Sequence, residues 1–152
     1  MKTTKELRLE IDTIINALSF GAITSSREVS LALTNAQRAK MWLGKVLEAE
    51  GRENPYPQGK NPDSPVIEPQ AEHTNDTLAF APDWDQTAKV KYVRKAMDPI
   101  IDVMGNRREE STDNEVAAWA MAWTAIVESQ MWLGMELNRI FKTQQPTKDY
   151  KA

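Results

Sequence analysis

Cysteine is absent from this chain, and histidine occurs once, at His73. Without cysteine there is no disulfide framework, no thiolate metal site and no cysteine nucleophile. With one histidine, any mechanism that needs two is excluded within a single chain. A basic excess is also missing: 19 Lys and Arg against 22 Asp and Glu give a formal net charge of −3. Binding to DNA or RNA without regard to sequence draws most of its affinity from phosphate neutralisation, so this balance disfavours it. A local basic pocket for a small anion stays open. No apolar run approaches the ~20 residues of a membrane span, and the opening MKTTKELRLEID holds no signal-type stretch. The expectation is a soluble protein that stays where it is made. Phe and Tyr are scarce, three of each, beside five Trp among 152 residues. A few large flat surfaces therefore matter, in the core or between subunits.

What is present is helical periodicity. Leu7, Ile11, Ile14, Ile15 and Leu18 form one apolar stripe over residues 5–19, and Phe20-Gly21 ends it. Thr24, Ser25 and Ser26 offer a cap, and Ser25 with Glu28 reads as a capping box. The next helix, about 26–50, aligns Val29, Ala32, Leu33, Ala36, Leu43, Val46 and Leu47, and Gly51 stops it. Residues 51–70 hold five of the eight prolines, which no helix can accommodate. Tyr56 between two prolines and the pair Val66-Ile67 suggest an arm that packs on something, beside the plainer reading of a linker. A third helix starts near Asp85 with Val90, Val93, Met97, Ile100, Ile101 and Met104 in register. Asp98-Pro99 either kinks it or starts a new one, and Gly105-Asn106 closes it. Thr112 with Glu115 caps a last helix, about 113–142, that is rich in Trp, Met and Ala and apolar on more than one face. The expected fold is all-α: two antiparallel helical hairpins, 1–51 and 85–142, joined by a proline-rich extended arm, 52–84, with a polar tail, 143–152. Their Trp/Met-rich faces would serve oligomerisation.

The two hairpins look like copies. Met41-Trp42-Leu43-Gly44 recurs as Met131-Trp132-Leu133-Gly134, an offset of 90. At that offset Ile11-Asp12 matches Ile101-Asp102, Asn16 matches Asn106 and Leu47 matches Leu137. The two capping boxes align at 87 instead, so one copy has gained or lost about one helical turn. Two helix pairs that cannot each bury a stripe alone would pack together as a covalent pseudo-dimer.

Chemistry-bearing residues are few. Walker-type loops, GxGxxG, HExxH and GxSxG are missing. Glu109-Glu110 and Asp83/Asp85 read as solvated charge, and His73, near Glu72 and Asp76, as a loop residue with no helical ligand partner for a metal. No enzyme, metal or cofactor is indicated. One polar stripe is more informative. Arg38, Trp42 and Lys45 are spaced i, i+4, i+7 and share a face, with Arg27 in the first turn of the same helix. Two cations flanking an indole can hold an anionic ring system, the indole stacking on a base and the cations meeting phosphates. A solvated face beside an oligomer contact fits those residues as well.

The stretches Arg27-Glu28-Val29, Leu33-Thr34, Ala39 through Lys45 (AKMWLGK), Asn54-Pro55-Tyr56-Pro57 and Ile67-Glu68-Pro69 carry a resemblance. Over residues 22–72 the sequence resembles a phage helical-hairpin family of immune-signal sponges, the hairpin domain of anti-CBASS and anti-Thoeris sponges. The resemblance implies a non-catalytic homo-oligomer in the cytoplasm of an infected bacterium. It would sequester a cyclic di- or trinucleotide, or a cyclic ADP-ribose isomer, between protomers without degrading it. On that reading Arg27, Arg38, Lys40 and Lys45 meet phosphates, Trp42 or Tyr56 stacks on a base, and Thr34 and Asn35 add polar contacts. The second hairpin departs from the pattern, with Glu128 and Met135 in place of Arg38 and Lys45. The alternative is a phage structural or accessory module that binds a protein and has no small-molecule ligand.

Overall fold

The computed structural model describes residues 2–50, 73–111 and 113–144. These form four α-helices, with no strand among them: α1 Thr4–Ser19, α2 Arg27–Ala49, α3 Gln86–Glu110 and α4 Asp113–Gln144. The proline-rich stretch 52–72 with Tyr56, the tail from Gln145, the expected stop at Gly51 and the expected cap at Thr112 lie outside the described residues.

The helix ends follow from local chemistry. Thr3 caps α1 by accepting from the Glu6 N–H, and Gly21 takes the left-handed conformation (φ 87°) that turns the chain away. The cap of α2 is Ser26, not Ser25: its hydroxyl accepts from Val29 N–H and donates to Glu136 Oε1 at 2.9 Å. That second bond to α4 explains the shift of one residue. Glu28, freed from a capping box, stands 3.7 Å from Arg139. Asp85 caps α3. Pro99 does not start a new helix, because α3 runs through it, and Asp98 instead accepts from Gln130 at 2.7 Å. Gly105-Asn106 does not end α3 either. A Cβ at Gly105 would stand 3.2 Å from Trp123 Nε1, so this glycine serves the close approach of α4 rather than a stop.

The helices pack as a ring, each against two others: α2 makes the most extensive contact with α4, α3 also lies along α4, α1 packs on α2, and the α1–α3 contact is the smallest. Directions can be read from the bonds. Thr4 reaches Glu50 while Asp12 reaches Lys40, so α1 and α2 run oppositely. Gln86 meets Glu136 and Gly105 meets Trp123, so α3 and α4 do too, and Ser26 on Glu136 with Ala32 on Ser129 reverses α2 against α4. It follows that α2 and α3 share a direction. Of the chain between them, the described part is 73–85. Residues 73–84 lie along α1, with Leu78 at the seam between α1 and α3. Asn16 Nδ2 donates to the carbonyls of Thr74 and Asp76, both at 2.8 Å, and Leu78 and Phe80 pack against the core. Phe80, Trp84 and Tyr92 form a ring cluster with centroids 5.3–6.2 Å apart.

Burial repeats along the chain in two registers. In α2 and α4 it recurs at an offset of 90: Ala32 with Ala122, Ala36 with Ile126 and Leu43 with Leu133, each fully buried. In α1 and α3 the offset is 86: Leu7 with Val93, Ile11 with Met97, Ile14 with Ile100 and Leu18 with Met104, none more than 4 % exposed. The difference of four residues is one helical turn. The matches at 90 within α1 and α3 are therefore not structural equivalents: Asp12 and Asn16 are buried, Asp102 and Asn106 exposed.

Candidate functional site

The residues singled out on the second helix do not form one cluster. Arg38 and Lys45 are exposed on the outer face of α2, with Thr34 and Met41 beside them and Trp42 half-buried between. Arg38 Nη1 donates to Asn35 Oδ1 at 3.4 Å, and Lys45 stands 3.5 Å from Glu48. Asn35 itself is buried, its amide returned to the Leu31 carbonyl, and Thr34 bonds back to Ser30. Arg27 stands apart at the start of α2, its guanidinium 5.4 Å over the Trp132 ring of α4. Four clefts lined by described residues, at the α1/α3 seam, the α1/α3 ends and between α3 and α4, include none of Arg38, Trp42 or Lys45.

Lys40 points the other way. The residue is 7 % exposed, and its ammonium donates to Asp12 Oδ1 at 2.6 Å and to His73 Nδ1 at 2.7 Å. An ammonium has donors only, so Nδ1 of His73 is the accepting nitrogen. Asp12 takes its second bond from the Thr74 N–H at 3.0 Å. Arg8, fully buried, donates from Nε to the Lys40 carbonyl at 3.4 Å. This network fastens residues 73–76 to α1 and α2. A buried Lys–Asp pair is tolerable because each charge is matched and hydrogen-bonded.

The same construction recurs in the second half. Arg94 Nε donates to the Gln130 carbonyl at 3.3 Å, and Gln130 Nε2 donates to Asp98 Oδ1 at 2.7 Å. Arg94 and Asp98 stand 86 residues after Arg8 and Asp12, and Gln130 stands 90 after Lys40. A Cβ at Gly134 would lie 3.4 Å from Arg94 Nη2, so the glycine of the second MWLG motif gives the guanidinium room to lie against α4. Sequence reasoning missed this pair of sites, although KELRLEID and KYVRKAMD carry the signal as Lys-x-x-Arg-x-x-x-Asp. A fixed offset of 90 hid it.

A further polar cluster joins the start of α2, the start of α3 and the end of α4. Glu136 is fully buried and accepts from Arg139, Ser26 and Gln86. Burial pushes its carboxyl up, but hydrogen bonds from Arg139, Gln86 and Ser26 and the charge of Arg139 outweigh that, leaving its pKa below the ordinary glutamate value. Among the described residues no group of three or more His, Cys, Asp and Glu is placed to hold a metal, and no helix is long and apolar enough to cross a membrane.

Comparison with family models, with curated proteins and with solved structures finds no match to this chain.

Proposed function

We propose that the protein is a non-catalytic binding protein that sequesters a cyclic nucleotide signal, a cyclic di- or trinucleotide or a cyclic ADP-ribose isomer, on the outer face of α2. The observation that carries this is Arg38 and Lys45, exposed on either side of the half-buried Trp42. The resemblance of residues 22–72 to phage immune-signal sponges gives the ligand class and the setting, an infected bacterial cytoplasm. Lys40, engaged with Asp12 and His73, is better placed to hold the fold than a phosphate. Arg27 lies about 16 Å along the helix from Arg38, so it can join the same ligand only across the large span of a cyclic oligonucleotide or from another copy. On this reading the chain is a tandem pair of helical hairpins that assembles as a homo-oligomer, and the pocket is completed where copies meet.

The test is thermal unfolding against a panel of these cyclic nucleotides. Ligand at ~100 times its dissociation constant adds about 2.7 kcal/mol, several degrees for a chain of this size. A shift with one of them, lost in Arg38→Glu with Lys45→Glu and accompanied by recovery of intact ligand, supports the reading. No shift with any of them removes it.

One observation favours a second reading, a protein-binding accessory module. The outer face of α4 exposes Met121, Met131 and Met135 at 40–50 %, with Met41 of α2 equally open. Adaptable methionine surfaces suit protein partners. A monodisperse monomer that binds no cyclic nucleotide would favour it.

A further inference from the structure

The two equivalent polar sites differ in what fills them. Around Asp12 and Lys40 the chain itself is the occupant: Thr74 N–H is on Asp12 Oδ2 and His73 Nδ1 on Lys40. Around Asp98 and Gln130 the corresponding space is an open cleft of about 230 Å³, lined by Lys91, Arg94, Lys95, Asp98 and Gln130. Arg94 is committed to the Gln130 carbonyl and Gln130 to Asp98 and the Arg94 carbonyl. The rest is unspent. Among the described residues, the second carboxylate oxygen of Asp98 and the ammonium groups of Lys91 and Lys95 have no partner, and all three side chains belong to exposed residues.

We infer that this cleft between α3 and α4 is a docking site for an acidic peptide segment. The filled site shows what the scaffold receives, a stretch of backbone whose N–H bonds to the aspartate. The open one keeps that acceptor as Asp98. It differs in charge: Lys95 stands where the first half has Leu9, and neutral Gln130 stands where the first half has Lys40. In the first half the lysine ammonium neutralises the aspartate from within. In the second, the two free ammoniums lie at the rim, where they meet carboxylates of an incoming chain while Asp98 takes its backbone N–H. A simple anion would satisfy the lysines but would be repelled by Asp98; a peptide satisfies both. This inference uses residues separate from the α2 face, so either can fail alone.

The full chain is titrated with a fluorescein-labelled, amidated peptide of sequence Glu-Asp-Thr-Glu-Asp-Glu, followed by anisotropy and by backbone amide shifts. Saturable binding is expected, with shifts confined to residues 91–98 and 130–134. Lys91→Glu with Lys95→Glu should weaken it about tenfold or more. Asp98→Ala should also weaken it several-fold, although removing a negative charge raises attraction for an acidic ligand. All three positions are exposed, and unchanged thermal unfolding of the variants checks their folding. No saturable binding by the native chain, shifts elsewhere, or tighter binding by Asp98→Ala would each overturn the inference. Displacement of the probe by inorganic phosphate, beyond that by chloride at equal ionic strength, would make the cleft a phosphate site and overturn it too.

Discussion

The two halves of this molecule solve one packing problem with different polar endings. Each places an arginine Nε on the carbonyl that precedes an MWLG motif, and each ties the side chain of that same residue to an aspartate. In the first half the aspartate–lysine pair is about 9 % exposed and is covered by residues 73–76. In the second the pair is Asp98 with neutral Gln130, open to solvent. The difference shows what a covering segment changes. Where the chain returns to cover the site, full charges are buried and must be matched; where it does not, the same geometry is left as surface.

Breaking the buried pair should have the largest effect. Lys40→Ala leaves Asp12 charged and covered, and a buried ion pair that loses one partner costs about 3–5 kcal/mol. Gln130→Ala, the equivalent change, should cost about 1 kcal/mol or less, since solvent replaces the lost bonds. Urea unfolding of the two variants measures the contrast, and equal losses would erase it. The apolar part of the comparison predicts the reverse, near equality. Leu43→Ala and Leu133→Ala each empty a fully buried position and should each cost about 2–5 kcal/mol.

Glu136 has no acidic counterpart, because Val46 occupies the equivalent place. Its pKa is lowered in the fold, so the stability it contributes is complete above the unfolded value of about 4.3 and is lost as pH falls through the lower folded one. Glu136→Gln should lower stability near neutral pH by about 1–3 kcal/mol and flatten its fall in acid. A pH profile parallel to the native one would contradict this. The smallest effect belongs to the cover. Asn16→Ala removes two bonds to the Thr74 and Asp76 carbonyls and should speed amide exchange of residues 73–76 with about 1 kcal/mol or less of global change.

Much of the fold is legible in the sequence. All four helices are set by apolar spacing, and the start of α3 and the turn at Gly21 are marked by residues whose local chemistry is strong. The errors fall where a distant contact overrides a local signal. Ser26 outcompetes Ser25 as a cap because its hydroxyl also reaches Glu136. Gly105 looks like a stop but makes room for Trp123. Asp98-Pro99 looks like a boundary but sits inside a helix that runs on to Glu110. The candidate site was legible only in part. Arg38, Trp42 and Lys45 share a face by helical spacing alone, whereas Lys40 reads as a surface cation until α1 and the returning chain are laid over it.

The sequence by itself determined the all-helical character, the positions of the apolar stripes and the recurrence of the MWLG motif, because each depends on neighbours within a few residues along one helix. Only the tertiary structure decided that α1 and α3 correspond one turn away from the register of α2 and α4. It alone decided that Lys40 turns inward to Asp12 and His73, and that the equivalent site in the second half stays open. Those outcomes depend on which groups distant in the chain exclude water from one another, and burial of that kind is a property of the assembled bundle.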